Sequence, residues 1–122
     1  MTKEPLDIFV LDDDLDICIM ANAILKYAGY NVQYTSVAEK LLPSLEKVEP
    51  KLLLMDMLLS GMDGRDICKT LKADTDKQHI KIIMMSAHPD ADRSCREAGA
   101  DDFLAKPFDL QQFLGKVEAL LK

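Results

Sequence analysis

One pattern constrains this chain more than any other: apolar runs about as long as a β-strand alternate with longer stretches of helical period. Ile8-Phe9-Val10-Leu11 runs into Asp12-Asp13, Leu52-Leu53-Leu54-Met55 into Asp56, and Ile82-Ile83-Met84-Met85 into Ser86. A shorter run, Phe103-Leu104-Ala105, ends at Lys106-Pro107. Unbroken apolar runs are the pattern of strands buried on both faces, as in a parallel sheet covered by helices. Parallel neighbours bring their carboxyl ends to one edge. Three carboxylates, a hydroxyl and an ammonium then meet in a single crevice.

The stretches between the runs supply the helices. Asp14 opens one whose apolar face is Ile17, Ala21, Ile24, Leu25 and Ala28, stopped by Gly29. Residues 31–35 form a short strand, and Ser36 is positioned to cap the next helix. Pro43 falls inside that helical pattern, where it predicts a kink or a late start. Residues 51–56 form the third strand, followed by a loop over 58–62 and a helix over 63–73. Strands over 80–86 and 102–105 flank a short helix over 90–98, ended by Gly99. The last helix aligns Leu110, Phe113, Leu114, Val117, Leu120 and Leu121 on one face. Five strand–helix alternations predict an α/β fold, a single doubly wound five-stranded parallel sheet with helices on both faces.

Composition narrows the function classes. A chain of 122 residues suits one domain filling positions 1–122, with no linker and no output domain expected. The net charge of −6 and the lack of a basic run argue against nucleic-acid binding by this chain or adsorption to a membrane surface. No apolar stretch approaches the ~20 residues of a bilayer span, and the first residues carry no signal-peptide core. Cys18, Cys68 and Cys95 are odd in number and form no Cys-x-x-Cys pair, which favours free thiols filling space in a reducing cytoplasm.

Clustered carboxylates repel one another unless a cation joins them. Hard oxygen ligands without His or Cys select Mg²⁺ or Mn²⁺. A lysine ammonium pairs with phosphoryl oxygens and a serine hydroxyl donates to another. Asp56, alone at its strand end, is the candidate nucleophile toward phosphorus; Asp12 and Asp13 are the candidate ligand pair. Taken singly, each group has an ordinary explanation. Asp12, Asp13, Asp14 and Asp16 are favoured by a helix dipole, Asp56 suits a loop or a cap, and Ser86 and Lys106 suit a strand end and a turn. Their joint placement at one sheet edge is what points to phosphoryl chemistry.

Four segments then show a resemblance: Phe9 to Asp14, Leu54 to Asp56 with Gly61-Met62-Asp63-Gly64, Met84 to Ala87, and Gly99 to Phe108. In this order they resemble the receiver domain of two-component response regulators, over essentially the whole chain. The resemblance implies the flavodoxin-like strand order 2-1-3-4-5. It implies that Asp56 accepts a phosphoryl group from the phosphohistidine of a sensor kinase or phosphotransfer protein. Mg²⁺ would be held by Asp13, Asp56 and the Leu58 carbonyl, with Asp12 acting through water. Lys106 would contact the phosphoryl group and precede a cis proline. Ser86 and Phe103 would form the switch, Ser86 moving toward the phosphoryl oxygen and Phe103 swinging inward. A downstream protein would then read the face formed by the fourth helix, fifth strand and last helix, with the chain a monomer or a phosphorylation-dependent dimer.

Departures from the family carry information. Ser60 stands where proline is usual, so the loop after Asp56 is expected to be less rigid. Leu58 is apolar where fast-hydrolysing members carry a polar group, and His88 occupies a second position that tunes hydrolysis. A relatively long-lived phosphoryl group is the expectation, because Leu58 cannot orient an attacking water. The reading is a signalling switch and not a turnover enzyme. Its competitors are a haloacid-dehalogenase-like magnesium phosphatase, for which Lys106 comes in the wrong order and a cap is lacking, and a receiver-like module that is never phosphorylated.

Overall fold

The computed structural model describes residues 2–88 and 90–122. Five strands, β1 (Glu4–Leu11), β2 (Val32–Thr35), β3 (Val48–Asp56), β4 (Lys81–Ser86) and β5 (Asp102–Ala105), form one parallel sheet in the order β2-β1-β3-β4-β5. This is the 2-1-3-4-5 order that the resemblance implies. The register is continuous where it matters: Leu11 sits beside Met55, Asp56 beside Met85, and Ser86 beside Ala105. Strand ends that are level across the sheet are what bring the polar residues after them to one edge.

Alternation along each strand divides the core into two layers. Ile8, Val10, Leu52, Leu54, Ile83, Met85 and Leu104 face one side, buried with Cys18, Ala21 and Leu25 of α1 (Leu15–Tyr27) and with Phe113 and Val117 of α5 (Leu110–Leu121). Phe9, Leu11, Leu53, Met55, Ile82, Met84 and Phe103 face the other. They are buried with Leu41 and Leu45 of α2 (Leu41–Leu45), Ile67, Cys68 and Leu71 of α3 (Gly64–Ala73), and Ala91 and Cys95 of α4 (Ala91–Glu97). Each fully buried Val, Leu, Ile, Phe or Met among them contributes about 1.5–3 kcal/mol of transfer free energy. The three cysteines fill space on helices, as expected, and all are buried and free.

Local predictions fare unevenly. Asp14 caps α1, accepting from Asp16 N, but Cys18 and not Ile17 enters the core, and Ala28 is exposed. Ser36 does not cap α2. The Thr35 hydroxyl accepts from Val37 N at 3.2 Å and turns the chain, and a 3₁₀ turn (Ala38–Lys40) without a side-chain cap follows. The late start expected from Pro43 is present: α2 proper has only five residues, with Pro43 in its first turn, where the missing N–H has no helical partner to lose. β3 begins at Val48, earlier than residue 51, and includes Pro50. Over that stretch β3 is paired with β1 alone, because β4 joins only from Leu52 onward.

The segment expected as a loop after Asp56 is a small antiparallel hairpin, Leu58–Leu59 against Met62–Asp63. Gly61 at its turn has φ +76°, a conformation that L side chains rarely adopt. In α5, Phe113 and Val117 are buried while Leu110 is exposed, so the apolar stripe seats from its second turn. Asp109 and Gln112 close a capping box at its start. Among the described residues no helix is long and apolar enough to cross a membrane.

Candidate functional site

The crevice is built by the strand register. Asp12, Asp56 and Ser86 lie at or just beyond the ends of β1, β3 and β4, and Lys106 follows β5 directly. One carboxylate oxygen from each of Asp12, Asp13 and Asp56 lies within 4.8 Å of the others. Asp12 is 1% exposed and Asp56 8%, whereas Asp13 stands at the open rim. Lys106 Nζ enters between the two buried acids, 2.7 Å from Asp12 Oδ2 and 2.9 Å from Asp56 Oδ1. The second Asp12 oxygen, Oδ1, accepts from Asp14 N at 2.9 Å, so both of its oxygens are engaged.

These contacts set the electrostatics. Burial pushes the Asp56 carboxyl above the ordinary carboxylate range. The Lys106 hydrogen bond works against that shift, and the charges of Asp12 and Asp13 add to it. Burial would lower the Lys106 ammonium, but its hydrogen bonds to Asp12 and Asp56 outweigh it and hold the group above its usual value. Three acids against one ammonium leave two negative charges in a partly dry crevice. Such a cluster is prepared for a cation.

The structure does not bring every predicted residue into that cluster. Ser86 is 2% exposed at the neighbouring strand end, and its hydroxyl accepts from His88 N at 3.0 Å. The His88 residue itself is exposed. Phe103 lies beside Met84 and is already inside, 6% exposed, in the layer that holds α4. Leu58 is half exposed on the hairpin. The Lys106–Pro107 bond is cis, as the resemblance implies.

Three contacts at the site escaped the sequence reading. Ser60 Oγ donates to Asp13 Oδ2 at 3.0 Å and so ties the hairpin to the β1–α1 loop. A Cβ on Gly64 would sit 2.5 Å from the Asp56 carbonyl oxygen, so only glycine lets α3 start against the candidate acceptor. The Cys18 thiol reaches the Asp12 carbonyl at 3.1 Å from beneath. Gly64 was visible within the Gly61-Met62-Asp63-Gly64 segment, and Ser60 only as a departure from proline. The other two contacts join loops or layers distant in sequence.

A doubly wound parallel sheet with a carboxylate crevice at its carboxyl edge, closed by the lysine that follows the last strand, defines a class of α/β domains that carry a polar site at the strand ends. Within that class, residues 8–118 match the response regulator receiver domain, and the chain belongs to that family. The haloacid-dehalogenase-like alternative falls with this assignment. The chain is 32% identical over 117 residues to the DNA-binding response regulator MtrA of Mycobacterium tuberculosis, covering 94% of this chain and 50% of MtrA. It spans about half the length of the curated relatives it matches, so DNA binding is a property of those proteins. The receiver domain of NtrX from Brucella abortus superposes with a TM-score of 0.86 at 28% identity, covering 94% of this chain and 98% of that one. The receiver domain of the sensor histidine kinase PA1611 from Pseudomonas aeruginosa, solved with a magnesium ion coordinated in its active-site cleft, shares the fold. Its TM-score is 0.82 at 23% identity, with 98% of each chain covered.

Proposed function

We propose that this receiver domain is a phosphoryl-accepting switch in which Asp56 takes a phosphoryl group from the phosphohistidine of a kinase or phosphotransfer protein. The observation that carries the reading is the Asp56 carboxylate at the end of β3, nearly buried, with Lys106 Nζ 2.9 Å from one oxygen and two further acids close by. In the transfer an Asp56 oxygen attacks phosphorus in line as the P–N bond to imidazole breaks. The bonding electrons return to the ring nitrogen, which is thereby released as the leaving group.

The donor set fits a hard divalent cation such as Mg²⁺ or Mn²⁺: carboxylate oxygens close together, with no His or Cys among them. Asp13, Asp56 and the Leu58 carbonyl would hold it. Asp12, both of whose oxygens are already engaged, would act through water. When bound, the cation supplies positive charge for the phosphoryl oxygens and relieves the repulsion among the acids. Lys106 moves from its two carboxylates to a phosphoryl oxygen, and the Ser86 hydroxyl, which accepts from the His88 amide, donates its proton to another. Phe103 is already inside, so phosphorylation would hold the ring in and not draw it in, a population shift on the face of α4, β5 and α5. That face would meet a downstream protein, as a monomer or a phosphorylation-dependent dimer in the cytoplasm.

The test is incubation of the protein with Mg²⁺ and acetyl phosphate, followed by intact mass and peptide mapping. A gain of one phosphoryl group on Asp56, absent without the cation and absent in Asp56→Asn, is the expected result. Persistence of the adduct in Asp56→Asn would place the acceptor elsewhere. A protein that gains none under any acyl phosphate or kinase would favour the unphosphorylated interaction module.

A further inference from the structure

Two side-chain contacts lie at opposite ends of the hairpin after Asp56. At its tip, Ser60 Oγ donates to Asp13 Oδ2 at 3.0 Å, across 47 residues of chain. At its base, Asp63 accepts from Arg65 N at 2.8 Å and from the guanidinium through Nε at 3.0 Å and Nη2 at 2.6 Å. The same guanidinium reaches across to α4, where Nη1 donates to Ser94 Oγ at 3.1 Å. Ser94 in turn donates to the Ala91 carbonyl in the first turn of that helix, at 3.1 Å.

The piece between these contacts is a hydrogen-bonded hairpin. Leu58 pairs with Asp63 and Leu59 with Met62, and Gly64 N closes the base onto the Met57 carbonyl at 2.6 Å. The absent Cβ of Gly64 leaves α3 packed directly on the Asp56 carbonyl. Ser60, at the turn, is thus joined to Arg65 through these two backbone pairs and the Gly64 closure. Asp13 is the exposed acid of the cluster, and among the described contacts no ammonium holds it as Lys106 holds Asp12 and Asp56. A hydroxyl that orients an exposed ligand from outside its coordination sphere fixes the rotamer a cation needs.

We propose that Ser60 and Arg65 are positioning residues at the two ends of one strut, Ser60 holding Asp13 for a divalent cation and Arg65 seating α4, so that the hairpin couples the cation site to that helix. The proposal rests on the cation reading given above. It runs on the α3 side of the crevice, apart from Ser86 and Phe103. It also gives Ser60 a task that proline, with no hydroxyl, cannot perform.

The experiment is a Mg²⁺ titration of the full chain by calorimetry, with hydrogen exchange of residues 91–97 read with and without Mg²⁺. Outer hydrogen-bond partners of metal ligands are commonly worth about 10–100-fold in affinity, and the exposure of this one brings the expectation for Ser60→Ala to about 3–10-fold weaker binding. Ser60→Thr, which keeps the hydroxyl, restores it. Mg²⁺ slows exchange in α4 of the wild type. Ser60→Ala and Arg65→Met each lose that response, and the double variant binds Mg²⁺ no more weakly than Ser60→Ala, because both cut the same strut. Arg65→Lys, which keeps the charge but not the fork, serves if Arg65→Met does not fold. Wild-type affinity in Ser60→Ala, an unchanged α4 response in both Arg65 variants, or single effects that multiply in the double variant would each overturn the strut. If acetyl phosphate still labels Asp56 in those cases, the strut alone has failed; a wild type that binds no Mg²⁺ removes the cation reading as well.

Discussion

Replacing Asp56 by Asn should stabilise the protein when metal is withheld, although it deletes the group on which the proposed activity depends. The distances show why. At an effective dielectric of about 20, Asp56 gains about 6 kcal/mol from Lys106 at 2.9 Å. It loses about 3.5 kcal/mol or more to each of two carboxylates whose oxygens lie within 4.8 Å, an effect that water at the rim screens for Asp13. Attraction and repulsion thus nearly cancel, and the burial of a carboxylate that is 8% exposed decides the sign. Asparagine keeps the shape and removes that charge. The gain is set at about 1–2 kcal/mol, well below the several kcal/mol of full ion burial. For 122 residues it raises Tm by about 4–8 °C.

The assay is thermal unfolding in excess EDTA at neutral pH, then at falling pH. The carboxyl that burial raises binds its proton in the folded state before the unfolded chain does. The wild type therefore gains stability as pH falls from neutral through the folded value toward the ordinary one, and the advantage of Asp56→Asn shrinks over that window. Mg²⁺ at about ten times its Kd should add about 1.4 kcal/mol to the wild type and almost nothing to the variant. An Asp56→Asn protein melting at or below the wild type in EDTA would refute the electrostatic account.

Gly64→Ala places a methyl carbon 2.5 Å from the Asp56 carbonyl oxygen and should cost at least about 2 kcal/mol, read as a lower denaturant midpoint with an unchanged m-value. Leu58→Asn should shorten the lifetime of the Asp56 phosphoryl group several-fold, measured as loss of the intact-mass adduct over time, since the exposed Leu58 offers no group to orient water; an unchanged lifetime would count against a tuning role. The thiols of Cys18, Cys68 and Cys95 are buried, with Cys68 pushed up to about 11 by that burial, so a thiol reagent at neutral pH should label all three only after denaturation.

Much of this molecule is legible one residue at a time. Four apolar runs, each too uniform to expose a face, require a sheet covered on both sides, and the alternation of helical segments between them requires it to be parallel. Caps at Asp14, Asp63 and Asp109 are local hydrogen bonds between residues two or three apart, which is why they lie close to where sequence places helix starts. Ser36 fails the same test because Thr35, one residue earlier, makes the competing turn. Cys18 takes the core position assigned to Ile17 because the helix phase is set by what α1 packs against, and a small thiol is as welcome there as a larger apolar group.

What only the tertiary structure decided lies between segments far apart in the chain. The acids, Ser86 and Lys106 were visible as strand-end residues. That Lys106 bridges both buried acids while Ser86 stays on the His88 amide depends on side-chain geometry no spacing encodes. Phe103 was visible as an aromatic on β5, but its position inside the core is set by the layer around α4. Ser60 was visible only as a missing proline. Its bond to Asp13 exists because β1 and β3 lie side by side in the sheet, which brings the loops after them within reach of each other. Sequence by itself therefore determined which groups reach the edge of the sheet, because periodicity and strand-end polarity are local properties. Folding decided which of those groups touch, because that depends on register and packing across the whole sheet.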